Sequence, residues 1–235
     1  MSEAPNGTAT ELNRLRPLEA PPSLAEAAAD LIRDEILAGR FLQGEHLVES
    51  KIAEQLNVSR GPIREAFKLL RAEGLLEEEP RRGTFVVSLR ASDVREIYGL
   101  RAAIEGRAAK LLASSRDPVA LQELRRLFSE MEAAAREGDV PPVYARDLAF
   151  HEGLCRLSGN GRLHEVFVRY VPMLRALLRV DEQVSESAKA IAEEHRPLLE
   201  AIERGEVEEA VSLAEQHCDR AASLISSYLE MLGER

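Results

Sequence analysis

Residues 57–87 read NVSRGPIREAFKLLRAEGLLEEEPRRGTFVV. Ile63, Ala66, Phe67 and Leu70 recur at helical spacing and define a buried face. Arg60, Arg64, Lys68 and Arg71 spread over the other sides. A chain with 31 Lys+Arg against 41 Asp+Glu, formal charge −10, has no general reason to gather cations there. A local basic patch on an acidic chain suits one contact, a phosphate backbone. Ser59 is placed to cap this helix, Pro62 lies in its first turn where a missing N–H is harmless, and Gly74 closes it. LLEEE and TFVVSL then read as two short strands around a PRRG turn.

Upstream, SLAEAAADLIRDEILAGRF predicts a helix capped by Ser23 and ended by Gly39. Its apolar stripe is Leu24, Ala28, Leu31, Ile32 and Ile36. EHLVES supplies a short strand, and ESKIAEQL a second helix with Ile52, Ala53 and Leu56 facing inward. Asn57 suits the left-handed position that ends it. Helix, strand, helix, turn, helix, hairpin is the order of a winged helix-turn-helix, here spanning 23–90. In that fold the helix starting at Ser59 enters the major groove by its N-terminal end. Ser59 and the free N–H groups of the helix start suit a phosphate. Arg60 and Arg64 share a face and reach base edges or phosphates, and Gly61 leaves room for close approach. The hairpin tip, Arg81, Arg82 and Gly83, would reach the neighbouring minor groove or backbone. The plain alternative is a solvated helix face followed by an ordinary basic turn.

Residues 1–22 form a polar, Pro-rich stretch without the apolar segment of a secretory signal, and are expected to be a disordered tail. No apolar run approaches the roughly 20 residues of a membrane span. Cys155 and Cys218 are far apart and form no CxxC pair, as expected of thiols in a cytoplasmic protein. From 91 to 235 the pattern is helical almost throughout, with Gly and Pro breaks. It predicts an antiparallel bundle of six or seven helices, the first capped by Ser92. The fold class is therefore mainly α, with one small β-hairpin.

The chain has only five histidines, and three lie on inward seams of that bundle. His151 follows Asp147 by four residues on the face of Tyr144, Leu148 and Leu154. His195 lies on the stripe Ile191, Leu198, Ile202, and His217 on Ala210, Ala214, Ala221, Leu224 and Tyr228. Each alone reads as a hydrogen-bonded core histidine. Together, three imidazoles and a carboxylate able to converge predict a divalent metal such as zinc, nickel, iron or manganese. His46 and His164 fit no such pattern and are expected to be structural or exposed.

The stretch LVESKIAEQLNVSRGPIREAFKLLRAEGLLEEEPRRGTFV resembles the DNA-binding domain of GntR-family transcriptional regulators, over about residues 24–90. Asn57 stands where that family has Gly, and Gly61 where it has Thr. Ser50 stands where some relatives carry a DNA-contacting Arg, so that contact is not carried over. YGLRAAIEGRAAKLLA, DLAFHEGLCRLSGN and EEHRPLLEAIERGEVEEAVSLAEQH resemble the FCD effector domain of the FadR subfamily, over about residues 91–232. In that domain's metal-binding branch the ligands fall on Asp147, His151, His195 and His217. The resemblance implies one divalent metal per chain, zinc first, with a small organic acid bound beside it. Arg101 is the implied carboxylate anchor, its alternative being a surface ion pair with Glu105. Asn160 is a second candidate, its alternative a helix C-cap; Arg175 is a third. The implied protein is a homodimeric, ligand-responsive repressor on palindromic double-stranded operator DNA, with no membrane partner. The alternatives are a metal-dependent hydrolase or lyase in a helical bundle, against which no HExxH motif or other positioned general base appears beside the site, and an architectural DNA-binding protein whose metal is purely structural.

Overall fold

The computed structural model describes residues 23–138, 140–181 and 187–233. The expected tail at 1–22 lies outside them. The chain is mainly helical, a winged domain followed by a helical bundle, as its sequence pattern predicts.

The first part runs α1 (Leu24–Leu37), β1 (His46–Leu47), α2 (Glu49–Gln55), α3 (Arg60–Ala72), β2 (Leu76–Glu79) and β3 (Gly83–Val86). The strands form one antiparallel sheet in the order β1-β3-β2, with Glu79 opposite Gly83 at the hairpin tip. Helices α1 and α3 pack on each other through small and branched side chains. Ala28, Ala29, Ile32 and Ile36 meet Ile63, Ala66, Phe67 and Leu70, and Leu75 and Val86 close the core from the sheet. Leu24 and Leu31 do not join it; they are 63% and 53% exposed. On a 3.6-residue period they sit roughly 100° round from the buried face, where Ala29 brings α1 and α3 closer than leucine would. Leu56 is half-buried. Ser59 holds the N-cap position of α3 in extended backbone, but its hydroxyl makes no cap hydrogen bond, contrary to expectation. Asn57 adopts φ +52, the left-handed turn expected between α2 and α3.

The bundle comprises α4 (Ala91–Ser115), α5 (Pro118–Glu137), α6 (Val140–Leu157), α7 (Gly161–Asp181), α8 (Ala188–Arg204) and α9 (Val207–Gly233), six helices among the described residues. Helix α4 starts before Ser92: Arg90 is the N-cap, and its N–H donates to Asp93 Oδ2 at 2.8 Å. An acidic side chain three residues into the helix accepts that bond and favours the positive helix end, so Ser92 is not needed. Helix α9 runs antiparallel to α4, tied at its far end by Ser226 to Ala91 O and by Arg95 to Glu230. Its buried seam is Ala210, Ala214, Cys218, Ala222 and Ile225, while Leu224 is exposed. No helix among the described residues is long and apolar enough to cross a membrane.

The two cores meet at α7, where Ala176 touches both. Gly74, at φ +74, faces Met173 so closely that a Cβ there would lie 2.7 Å from Sδ. A cavity of about 280 Å³ lies along this seam, lined by Phe41, Leu75, Leu89, Met173 and Tyr228 among others.

Candidate metal centre and DNA-binding face

Asp147 and His151 sit one turn apart on α6, His195 comes from α8 and His217 from α9. One ligand atom from each lies within 4.8 Å of all the others. His195 Nε2 is 2.9 Å from His151 Nε2 and 2.9 Å from Asp147 Oδ1; His151 Nε2 is 3.6 Å from the same oxygen. Asp147, His151 and His195 are buried, and His217 is nearly so. Phe150 stands edge-on to the His151 and His195 rings and fixes their planes.

The outer nitrogens explain the orientation. His195 Nδ1 donates to Ile191 O at 2.8 Å, which leaves its Nε2 as a lone-pair donor toward the centre. His151 Nδ1 lies 2.6 Å from Glu105 Oε2. Glu105 is fully buried, and its other oxygen accepts from Arg101 Nε at 2.7 Å. The Arg101–Glu105 pair is therefore not the surface pair considered from sequence: Arg101 is only 4% exposed. Its Nη2 is buried with no hydrogen-bond partner, as is His217 Nδ1, whose nearest carboxylate oxygen, on Glu194, is 3.9 Å away.

The electrostatics leave room for a cation. Burial opposes the ionisation of Asp147, but His151 and His195 hold its carboxyl well below the usual carboxylate range. Burial likewise opposes Glu105, which Arg101 and His151 bring down to about 2. Two carboxylates against one guanidinium leave one negative charge unmatched. In the protein alone His151 supplies the match: burial disfavours its proton, but Glu105 and Asp147 push it up to about 9. Burial, with His195 and His151 nearby, holds His217 well below the imidazole range, in the neutral form a metal ligand needs. Three imidazoles and one carboxylate with ligand atoms this close together fit a divalent cation of the zinc or nickel type.

Asn160 caps the next helix rather than ending α6: its Oδ1 accepts from Arg162 N at 3.1 Å and its N–H donates to Ser158 Oγ. Arg175 is exposed. His164 pairs with Glu152 at 3.1 Å, and His46 stacks on Phe85.

On the winged part, Ser59, Arg60, Gly61 and Arg64 are all exposed at the start of α3. A Cβ at Gly61 would meet only Ser59 Oγ, 4.0 Å away, so the surface there is open. Arg64 is held by Glu49 of α2, with Nη2 3.3 Å from Oε2. At the wing tip Arg81 takes φ +66, and Arg82 pairs with Glu79 and lies over the Phe85 ring at 5.2 Å. Gly83 has φ +111, and any side chain there would collide with the His46 ring. Arg60 and Arg81 make no ion pair among the described residues.

Residues 24–86 match the gntR family of bacterial regulatory proteins, and residues 96–220 match the FCD domain. The chain is 33% identical over 198 residues to the probable D-xylose utilization operon transcriptional repressor of Paenarthrobacter nicotinovorans, covering 83% of this chain and 85% of that protein. It is 30% identical over 200 residues to the uncharacterized HTH-type transcriptional regulator YdhC of Bacillus subtilis (strain 168), covering 85% and 89%. A crystal structure of a GntR regulator from Rhodococcus sp. RHA1 superposes with a TM-score of 0.68 at 27% identity, covering 87% of this chain and 98% of that one. A winged domain joined to such a bundle defines a DNA-binding transcriptional regulator, not an enzyme. The chain belongs to the GntR family and carries the FCD domain.

Proposed function

We propose that this regulator is a cytoplasmic homodimeric repressor, that residues 23–90 read a palindromic operator, and that residues 91–235 hold one divalent metal and a small organic acid. Zinc is the first choice for the metal, held by Asp147, His151, His195 and His217. One observation carries the reading: within one buried network ligand atoms of Asp147, His151, His195 and His217 converge, and beside them a guanidinium nitrogen of Arg101 is left unpaired, so that the first is a place for a cation. The second is a demand for an acceptor, and a carboxylate meets a guanidinium in two parallel hydrogen bonds. The metal, when bound, would offer a Lewis-acidic position to the same acid. Glu105 joins the two halves by touching both Arg101 and His151. Asn160 remains a candidate only through its backbone neighbourhood, since its side chain caps α7.

An acid that binds one placement of the winged domains better than another shifts the population toward it. Residues 88–92, together with the seam at Gly74 and Met173, would set that placement. The D-xylose operon relative, a repressor by name, supports repression as the default. An architectural protein with a purely structural metal would have no use for an acid; a thermal-shift screen of small carboxylates separates the two, because only a sensor is stabilised.

On the DNA side, Ser59, Arg60, Gly61 and Arg64 would meet the major groove, and Arg81, Arg82 and Gly83 the flanking backbone or minor groove. The expected result for Arg64→Ala, on a duplex selected by the wild-type protein from a random pool, is a loss of about 1–3 kcal/mol with relaxed specificity. Arg81→Ala should weaken all sequences alike and flatten the salt slope by about 0.9. Unchanged affinity of Arg64→Ala at physiological salt would remove α3 from the groove.

A further inference from the structure

We infer that Glu49 is a specificity-determining residue, which acts by holding Arg64 in a fixed orientation and away from non-operator phosphates. The inference rests on Arg64 reading DNA, as proposed above. Glu49 is the first residue of α2, and its carboxylate meets Arg64 on α3 across the turn between the two helices. The contact is two-pronged: Nε to Oε1 at 3.4 Å and Nη2 to Oε2 at 3.3 Å. A guanidinium carries five N–H donors in a rigid fork. With the Nε edge occupied, the opposite edge, Nη1 and the second Nη2 hydrogen, remains free. That edge is itself bidentate and matches the paired acceptors of a guanine.

The two kinds of DNA then make different demands. At an operator, Arg64 uses its free edge and Glu49 stays in place. On other sequences the guanidinium has only phosphates to meet. If it turns away from Glu49 to reach them, the released carboxylate faces the polyanion unmatched. The pair is suited to this role because it is weak. Arg64 is 60% and Glu49 31% exposed, and such pairs contribute little to stability. The buried Arg101–Glu105 pair is the opposite case. The same restraint recurs nearby, where Lys68 pairs with Glu65, Arg71 with Glu78 and Arg82 with Glu79. Of these, only Arg64 belongs to the base-reading start of α3. A carboxylate that penalises the wrong partner more than the right one is how specificity is raised without a new contact. The competing explanation is that Glu49 merely stabilises α2 by standing at its positive end.

The test is binding of the full chain to two duplexes across a salt series: a site selected by the wild-type protein from a random pool, and a scrambled duplex of the same length and composition. Glu49→Gln should bind the scrambled duplex several-fold more tightly, with a salt slope steeper by about 0.9 as one more phosphate is neutralised. Selected-site affinity should change less, so the ratio of the two falls. Glu49→Asp, which keeps the charge, should recover part of that ratio. In an Arg64→Ala background the Glu49→Gln effect should disappear. Unchanged slope and scrambled-duplex affinity in Glu49→Gln would overturn the inference, as would an effect that persists without Arg64 or that tracks a fall in melting temperature. If Arg64→Ala alone leaves selected-site binding intact, the groove assignment fails first and the inference with it.

Discussion

Chelating the proposed divalent metal is expected to lower the melting temperature of the full chain by about 8–16 °C. The donors come from α6, α8 and α9, so they are assembled only in the folded state, and metal binding energy is folding energy. A free metal concentration a thousandfold above Kd adds about 4 kcal/mol. For a chain of this size each kcal/mol moves the melting temperature by about 2–4 °C. His195→Ala should abolish the metal-dependent part, so that the variant melts at one temperature with or without metal. That comparison separates the metal from the packing loss of the ring against Phe150. A wild-type melting temperature insensitive to both chelator and added zinc would count against the site.

Breaking the buried Arg101–Glu105 pair from either side is expected to cost about 3–5 kcal/mol. Arg101→Ala leaves Glu105 fully buried beside His151; Glu105→Ala leaves Arg101 charged and buried over the Tyr98 ring without its ion-pair partner. Against a total stability of about 5–15 kcal/mol, either loss is severe. Replacing both, as Arg101→Met with Glu105→Leu, should cost much less, because no charge is then left buried. The urea midpoint should report this with the m-value unchanged. The pH dependence has a definite sign. The folded carboxyl of Glu105 is held down to about 2 from an ordinary 4.5, so its contribution is present above about 4.5 and is lost as pH falls toward 2. A single-variant cost within about 1 kcal/mol, the range of exposed pairs, would show that the two groups are hydrated. The double variant should also lose its response to any carboxylate that stabilises the wild type, since the proposed anchor is gone.

How far the sequence carries depends on whether a feature is local. The winged order and a bundle of six or seven helices follow from periodicity and from turn residues such as Asn57, Gly74 and Gly205, whose backbones take the left-handed form. The inward placement of His195 was legible because Ile191, Leu198 and Ile202 frame it. Glu105 is not legible from sequence as part of the centre. Its spacing from Arg101 is that of an ordinary exposed helix pair, and α4 is buried on more than one face, so its pattern has no clean polar side. Ile104, Ala108, Ala109 and Leu112, all buried around it, were the available signal. Leu24 and Leu31 misled for the converse reason: large apolar residues outweigh alanines in a pattern, while the close approach of α1 and α3 favours Ala28 and Ala29. Helix starts failed where a backbone position was right but the partner was not, as at Ser59, or where a carboxylate three residues on did the capping, as Asp93 does. Glu49 could not be paired with Arg64 from sequence, because the turn between their helices sets the distance.

The central claim is that the GntR winged domain is governed by a bundle built around a metal. Elemental analysis of the purified full chain, in preparations shown to bind the selected duplex, tests it most directly. The account predicts one divalent metal per chain in the wild type, and a near-complete loss in His195→Ala and His217→Ala with metal-free DNA binding largely retained. DNA-binding protein that carries no stoichiometric metal after purification and reconstitution with zinc, nickel, iron or manganese would contradict it.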